Sequence, residues 1–338
     1  MQVKAREVAP AAADRETRWI LKNIQAAMKQ VDGTARRLSG APVTMLNGRG
    51  RSMDVDGAKV TWVGVIVIDH PDPPEGIDIP ATSGTTPSVA LLRRDWEFLF
   101  DQLRSTRAVI EYLLRVAKLP AVPLGDEAFR YYDLAAADED APPGPIPAFL
   151  AGVGQRVTVP VLPSVPGYEE DAAGFELFRL ILEDVATSPV DPEHELARQR
   201  ALGSLDGIPV VQRASLGRLL LDFLDESRGV DDARTIWKFR THAAGTDSDQ
   251  IGFGVCSQLS DFTNEAFRRW LILRHHERCV RLGTTELTSM GVLLTPRPGR
   301  ATEWDTTLAV ATGDFQLSEE EIKHLYQIWP PQSEEAAR

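Results

Sequence analysis

Apolar residues recur at three- and four-residue spacing over residues 16–39, where Ile20, Ile24, Ala27, Met28, Val31, Ala35 and Leu38 form one stripe. That period predicts an amphipathic helix. At about 100° per residue, Asn23, Gln30, Thr34 and Arg37 fall along one flank of the stripe as a polar seam. Gly33 costs about 1 kcal/mol relative to Ala in a helix interior and predicts a bend or an end near it. Strands are predicted at residues 43–46, 60–69 and 88–93. The second is almost wholly apolar and β-branched, the pattern of a strand covered on both faces, and it ends at the breaker His70-Pro71-Asp72-Pro73-Pro74. Residues 95–118 read as a long helical segment with Phe98, Leu99, Leu103, Val109, Ile110, Leu113 and Leu114 on its buried side. Ser105-Thr106 marks a junction between two shorter helices there.

The pattern changes over residues 119–172, which hold nine of the chain's 23 prolines and an acidic run, so a loop-rich connector with one strand at 156–162 is expected. The domain boundary is placed in this connector. Helical periods follow at 173–188, 192–202, 212–228 and 231–242. A strand at 251–257, a helix at 262–282 and strands at 288–295 and 305–311 complete an α/β region. Ser318 and Glu321 have the spacing of a capping box at the start of a last helix, and the polar residues 331–338 form a frayed tail. The expected architecture is α/β throughout: a domain over 1–118, the connector, and a helix-rich α/β domain over 173–330.

Hydrophobic residues make up 43% of the 338-residue chain and charged residues 25%, which is enough apolar material for a packed core rather than a disordered chain. Cys256 and Cys279 are the two cysteines, too few for a disulfide scaffold and in keeping with a reducing compartment. Without a run of 18 or more apolar residues or a leader-like apolar segment, the expected location is the cytoplasm, with no membrane partner. The net charge of −12 is unevenly spread. Residues 1–51 carry 10 Lys/Arg against 4 Asp/Glu, a balance of +6, which leaves 27 against 45, or −18, for the rest. A local basic region attracts phosphates even on an acidic protein, because screening limits each charge to about 10 Å. The acidic remainder is a candidate surface for a protein partner.

At the N-terminus, Gln2-Val3-Lys4 reads as the end of a strand, followed by a helix that carries Lys29-Gln30 and Ala35-Arg36-Arg37-Leu38. An oxygen ligand beside an ammonium is what metal-assisted phosphodiester hydrolysis uses to hold a cation and polarise water. This arrangement resembles the second half of the restriction-endonuclease-like core of the PD-(D/E)XK nuclease superfamily, in the form where Gln replaces the usual Glu. The resemblance covers roughly residues 1–40, with the strands to about 120 loosely compatible. It implies a mixed sheet flanked by helices and Mg²⁺-dependent cleavage of DNA or RNA. Gln2 would offer its side-chain oxygen to Mg²⁺ and Val3 its backbone carbonyl; Lys4 would polarise the attacking water and stabilise charge on the phosphate. Gln30 would stand near the site, and Arg6, Arg36 and Arg37 would contact phosphates. The family's Asp would precede Met1. Two expectations follow: a truncated enzyme whose missing half-site lies upstream, or a non-catalytic descendant that binds nucleic acid or a protein.

Other groupings carry less chemistry. Asp54, Asp56 and Asp69, with Lys59 nearby, flank the apolar strand as turn carboxylates or a metal set. His275 and Cys279 lie four apart on one helix face beside His276 and Glu277, but two ligands do not make a zinc site. Gly252-x-Gly254 lacks the third glycine and acidic partner of a dinucleotide fingerprint. Glu303-Trp304-Asp305 with Asp314 forms a possible binding edge in which Trp packing is the simpler role. No motif in the C-terminal half points to an unrelated enzyme.

Overall fold

The triplet at the start of the chain lies in a strand, β1 (Gln2–Ala5), which leads into the 27-residue helix α1 (Ala13–Ser39). A short antiparallel hairpin, β2 (Val43–Leu46) with β3 (Ser52–Val55), precedes β4 (Gly64–Asp69) and β5 (Ser88–Leu92). In this computed structural model β1, β4 and β5 are all parallel and ordered β1-β4-β5, with Gln2 opposite Ile66 and Lys4 opposite Ile68. Helices α2 (Arg93–Leu103), α3 (Thr106–Val116) and α4 (Glu127–Glu139) follow, then the antiparallel pair β6 (Pro143–Pro145) and β7 (Thr158–Pro160). The structure describes residues 1–7, 12–80, 84–139, 143–145, 158–160, 172–228, 235–243, 249–297 and 303–331, and divides into two units, Met1–Ser164 and Val165–Arg338.

In the first unit the central strand β4 is buried on both faces, which explains its unbroken apolar sequence. Ile66 and Ile68 pack on Ile20, Ile24 and Ala27 of α1, while Val65 and Val67 pack on Leu99, Val109 and Leu113 of α2 and α3. Each fully buried Ile or Val contributes about 1.5–3 kcal/mol, so the α1 stripe readily outweighs the cost of one glycine. Accordingly, of the bend or end expected near Gly33, the end does not occur: α1 runs through to Ser39. The strand expected from residue 60 begins at Gly64, where pairing with β5 starts opposite Ser88; before it, residues 57–59 form a 3₁₀ turn capped by Asp56, whose Oδ1 accepts from Ala58 N at 3.2 Å. The α2–α3 junction falls where the sequence places it, with Ser105 Oγ accepting from Ala108 N at 3.0 Å. The expected connector differs more. It contains α4, whose Tyr131 and Tyr132 pack their rings on Phe98, and the division between units falls at Ser164. Of the strand expected at 156–162, β7 covers 158–160; the other residues lie outside those described.

The second unit contains α5 (Ala172–Thr187), α6 (Glu195–Asp206), α7 (Val210–Ser227), β8 (Trp237–Ala243), β9 (Asp249–Cys256), α8 (Asp261–Leu282), β10 (Thr288–Pro296), β11 (Trp304–Thr312) and α9 (Glu319–Ile328). Its sheet is mixed, ordered β11-β10-β9-β8, with β9 and β10 parallel and the other pairs antiparallel. Ile251, Phe253 and Val255 face α5 and α7; Phe267 and Trp270 of α8 cover the opposite face. The helix expected at 231–242 is corrected to the strand β8. Trp237 and Phe239 alternate with Lys238 and Arg240, and the Phe239 ring stacks 4.3 Å from Trp270, so a period of two with aromatic packing prevails. Ser318 and Glu321 form the capping box at α9, where Ser318 N donates to Glu321 Oε2 at 2.9 Å. Residues 332–338, expected as a frayed tail, lie outside those described. Among the described residues no helix is long and apolar enough to cross a membrane.

Candidate functional site

Alternation along β1 sends Gln2, Lys4 and Arg6 to the side of α1 and leaves Val3, on the other face, 53% exposed. Two residues that the resemblance singles out therefore meet: Lys4 Nζ donates to Gln30 Oε1 at 3.0 Å. Gln2 shares this face one step back along β1, opposite Ile66. Asn23, on the same predicted seam, instead turns back to donate to Trp19 O at 2.9 Å.

Arg6 has a different partner. Its Nε and Nη2 reach the two oxygens of Glu16 at 2.9 and 3.0 Å, and Glu16 is only 1% exposed. The hydrogen bond with Glu16 raises the guanidinium pKa above its ordinary value. Buried His70 completes the group: Asp72 N donates to its Nδ1 at 3.2 Å, so the ring hydrogen sits on Nε2 and is donated to Glu16 Oε2 at 2.9 Å. Trp19 lies under the Arg6 guanidinium, 5.3 Å from ring centre to carbon. With Arg6 N donating to Asp69 O at 2.9 Å, this cluster ties the carboxyl ends of β1 and β4 to the first turn of α1. The Arg6 guanidinium is thus engaged by Glu16, whereas Arg36 and Arg37 lie exposed near the end of α1. Sequence reading missed Glu16 and His70. The available signal was Glu16 itself, a carboxylate four residues before Ile20 in the apolar stripe.

The outer face of α1 carries the strongest charge feature. Arg15, Arg18, Lys22, Lys29 and Arg36 are all exposed, and at about 100° per residue they fall within an arc of about 60° opposite the buried stripe. They span about 31 Å of helix axis at ~1.5 Å per residue. None of the five forms an ion pair with a described residue; Arg18 Nε donates to the backbone oxygen of Asp14 at 3.1 Å. Gln30 and the exposed Arg37, seven residues apart, border this track on the side that meets Lys4.

Gln2 and Lys4 do not fit Mg²⁺ by themselves. A neutral amide beside an ammonium lacks the anionic oxygens that hard cations select. Asp69 alternates to the face of Val65 and Val67, away from Lys4, and its Oδ2 pairs with Arg93 Nη1 at 3.1 Å. Among the described residues no group of three or more His, Cys, Asp or Glu side chains is arranged to hold a metal ion. Asp54 accepts from Thr44 Oγ1 at 2.6 Å, and Asp56 pairs with Lys59 at 3.1 Å, so the three turn carboxylates have separate partners.

In the second unit His275 is a core residue. Its Nε2 donates to Gly313 O at 2.8 Å, and its Nδ1 meets Ser289 Oγ at 3.0 Å. A Cβ at Gly252 or Gly254 would press on Trp270 or Phe239, so these glycines make room for aromatic rings. Glu303 pairs with Arg228 at 2.9 Å and Asp305 with Arg297 at 3.1 Å, while Trp304 is buried. Compared with protein-family models, curated proteins and solved structures, the chain matches none.

Proposed function

We propose that the first unit binds nucleic acid through the outer face of α1 and descends from the PD-(D/E)XK nuclease lineage. The observation that carries this is the track of five exposed cations without acidic partners among the described residues. Such a track neutralises phosphates and releases their counterions, so it attracts a polyanion regardless of base sequence. The contact between Lys4 and Gln30 beside the track supports the lineage, since it joins the strand triplet to the helix seam. Hydrolysis with Mg²⁺ would require carboxylates from another segment or another protein, because the described side chains around Lys4 do not supply them.

Fluorescence anisotropy with a labelled 16-base-pair DNA duplex and the matching RNA, at several salt concentrations, tests the proposal. Binding to the DNA duplex should weaken with salt along a log–log slope of about −4.5 if five phosphates are contacted, and reversing Lys22 and Lys29 to Glu should reduce the magnitude of that slope by about 2. Affinity unchanged by the reversals would refute the assigned face. Incubation of the same duplex with Mg²⁺ or Mn²⁺ separates binding from cleavage, and cleavage lost on Lys4→Ala would restore the catalytic interpretation.

A protein-interaction role is supported by an observation in the second unit. Trp237, Phe262, Leu325, Ile328 and Trp329 line an apolar groove of about 340 Å³, and Phe262 is 75% exposed. A partner using this groove would be released by Phe262→Asp, measured as loss of binding in a defined two-component titration.

A further inference from the structure

A cavity of about 200 Å³ lies in the first unit along the open edge of β5, away from the basic face of α1. Met28, Ile79, Val116 and Pro123 supply apolar wall, and Asp95, Glu127 and Arg130 supply the charge. Glu127 is already neutralised. It accepts from Tyr112 Oη at 2.6 Å and from Arg130 Nε at 3.0 Å, and it also receives Arg130 Nη2.

Asp95 is different. It is 3% exposed, its Oδ2 accepts only from Leu92 N at a long 3.3 Å, and no described residue donates to Oδ1. The neighbouring Arg94 is exposed and reaches over Gly125, whose φ of +99° and lack of Cβ leave room for the guanidinium. Asp126 and Glu127 add negative charge near Asp95 and Arg94 adds positive charge, while Arg130, which lines the same cavity, is paired with Glu127. Burial pushes the Asp95 carboxyl up to about 6, which leaves it ionised at neutral pH without a paired cation in the cavity.

We infer that this cavity binds a small organic amine, its ammonium against Asp95 and its apolar body against Met28 and Val116. The size fits, since a cavity of about 150 Å³ accepts benzene, and about 200 Å³ adds room for an aminomethyl group. An ammonium has three donors, and Ser88, Val89 and Ala90 of β5, which has no second neighbouring strand among the described residues, line the same cavity as Asp95.

Benzylamine is the probe, titrated calorimetrically into the full chain at pH 7.5, with benzyl alcohol and benzoate as isosteres. Benzylamine should bind at least tenfold more tightly than either isostere, and Asp95→Asn, which keeps an acceptor for Leu92 N, should remove that preference. Val116→Phe, which fills the cavity without changing charge, should abolish binding, with circular dichroism reporting that both variants fold. Preference for benzoate would make Arg130 the recognising group and overturn the inference. So would equal affinity of benzylamine for Asp95→Asn and the wild type, or no benzylamine binding at millimolar concentration.

Discussion

Lys4 of β1 donates to Gln30 of α1 across 3.0 Å, joining residues 26 positions apart. The pair exists because β1 and β4 run parallel with Lys4 opposite Ile68, which turns Lys4 toward the helix that covers Ile66 and Ile68. It sits at the exposed margin of that contact, where a hydrogen bond adds about 1 kcal/mol or less to stability and its donor stays available to an external phosphate.

Charge on α1 should govern binding without governing the fold. The double reversal Lys22→Glu with Lys29→Glu is expected to weaken duplex binding at low salt at least tenfold, while the urea midpoint moves by less than the equivalent of about 1 kcal/mol, since both side chains are exposed. A large loss of stability would assign these lysines to the fold instead.

Glu16→Ala should destabilise the first unit by about 3 kcal/mol. The change strands the buried His70 ring hydrogen and the Arg6 guanidinium together, and both then lack the acceptor that the strand ends are built around. Chemical denaturation monitored through Trp19, whose ring lies beside both groups, measures the loss. A cost below about 1 kcal/mol would mean that water replaces Glu16 freely.

Asp95 should make stability fall as pH rises. Its folded pKa of about 6 lies above the ordinary 3.8, so its contribution is fully present below pH 3.8 and is lost as pH rises through 6. The difference of about two units corresponds to about 3 kcal/mol. Asp95→Asn lacks this titration, so its stability relative to the wild type should improve by about that amount between pH 4 and pH 7. Parallel stability profiles for the two proteins would show that Asp95 ionises normally.

Gly217→Ala should be strongly destabilising in the second unit. Gly217 of α7 lies against Gly174 of α5, and a Cβ at Gly217 would stand inside contact distance of the Gly174 carbonyl, so the helices must separate. The expected loss is about 3 kcal/mol, read from the urea midpoint of the second unfolding step or of a single merged one. By contrast, Gly33→Ala, where a Cβ meets nothing, should be neutral or slightly stabilising.

Much of the element structure was legible where its cause is local. The stripe from Ile20 to Val31, the doubly covered β4, and the caps at Ser105 and Ser318 depend on neighbours within a few residues. The failures share a tertiary cause. Residues 237–243 alternate apolar and basic only over Trp237–Arg240, too short a run to outrank a helical reading by itself, and become β8 because β9 pairs with them and Trp270 receives Phe239. α4 was hidden in a Pro-rich stretch, and its place is set by Phe98 and by the Tyr112–Glu127 hydrogen bond.

The sequence by itself determined an α/β chain with a basic N-terminal helix, an apolar central strand and a polar triplet ahead of that helix, because composition and period are properties of short windows. Tertiary structure decided which charges are free. It enclosed Glu16 with Arg6 and His70, set Lys4 against Gln30, paired the cavity's Arg130 with Glu127 rather than with Asp95, and turned five cations of α1 outward. Pairing and desolvation depend on side chains brought together from distant parts of the chain, and that proximity is fixed only when the strands and helices pack.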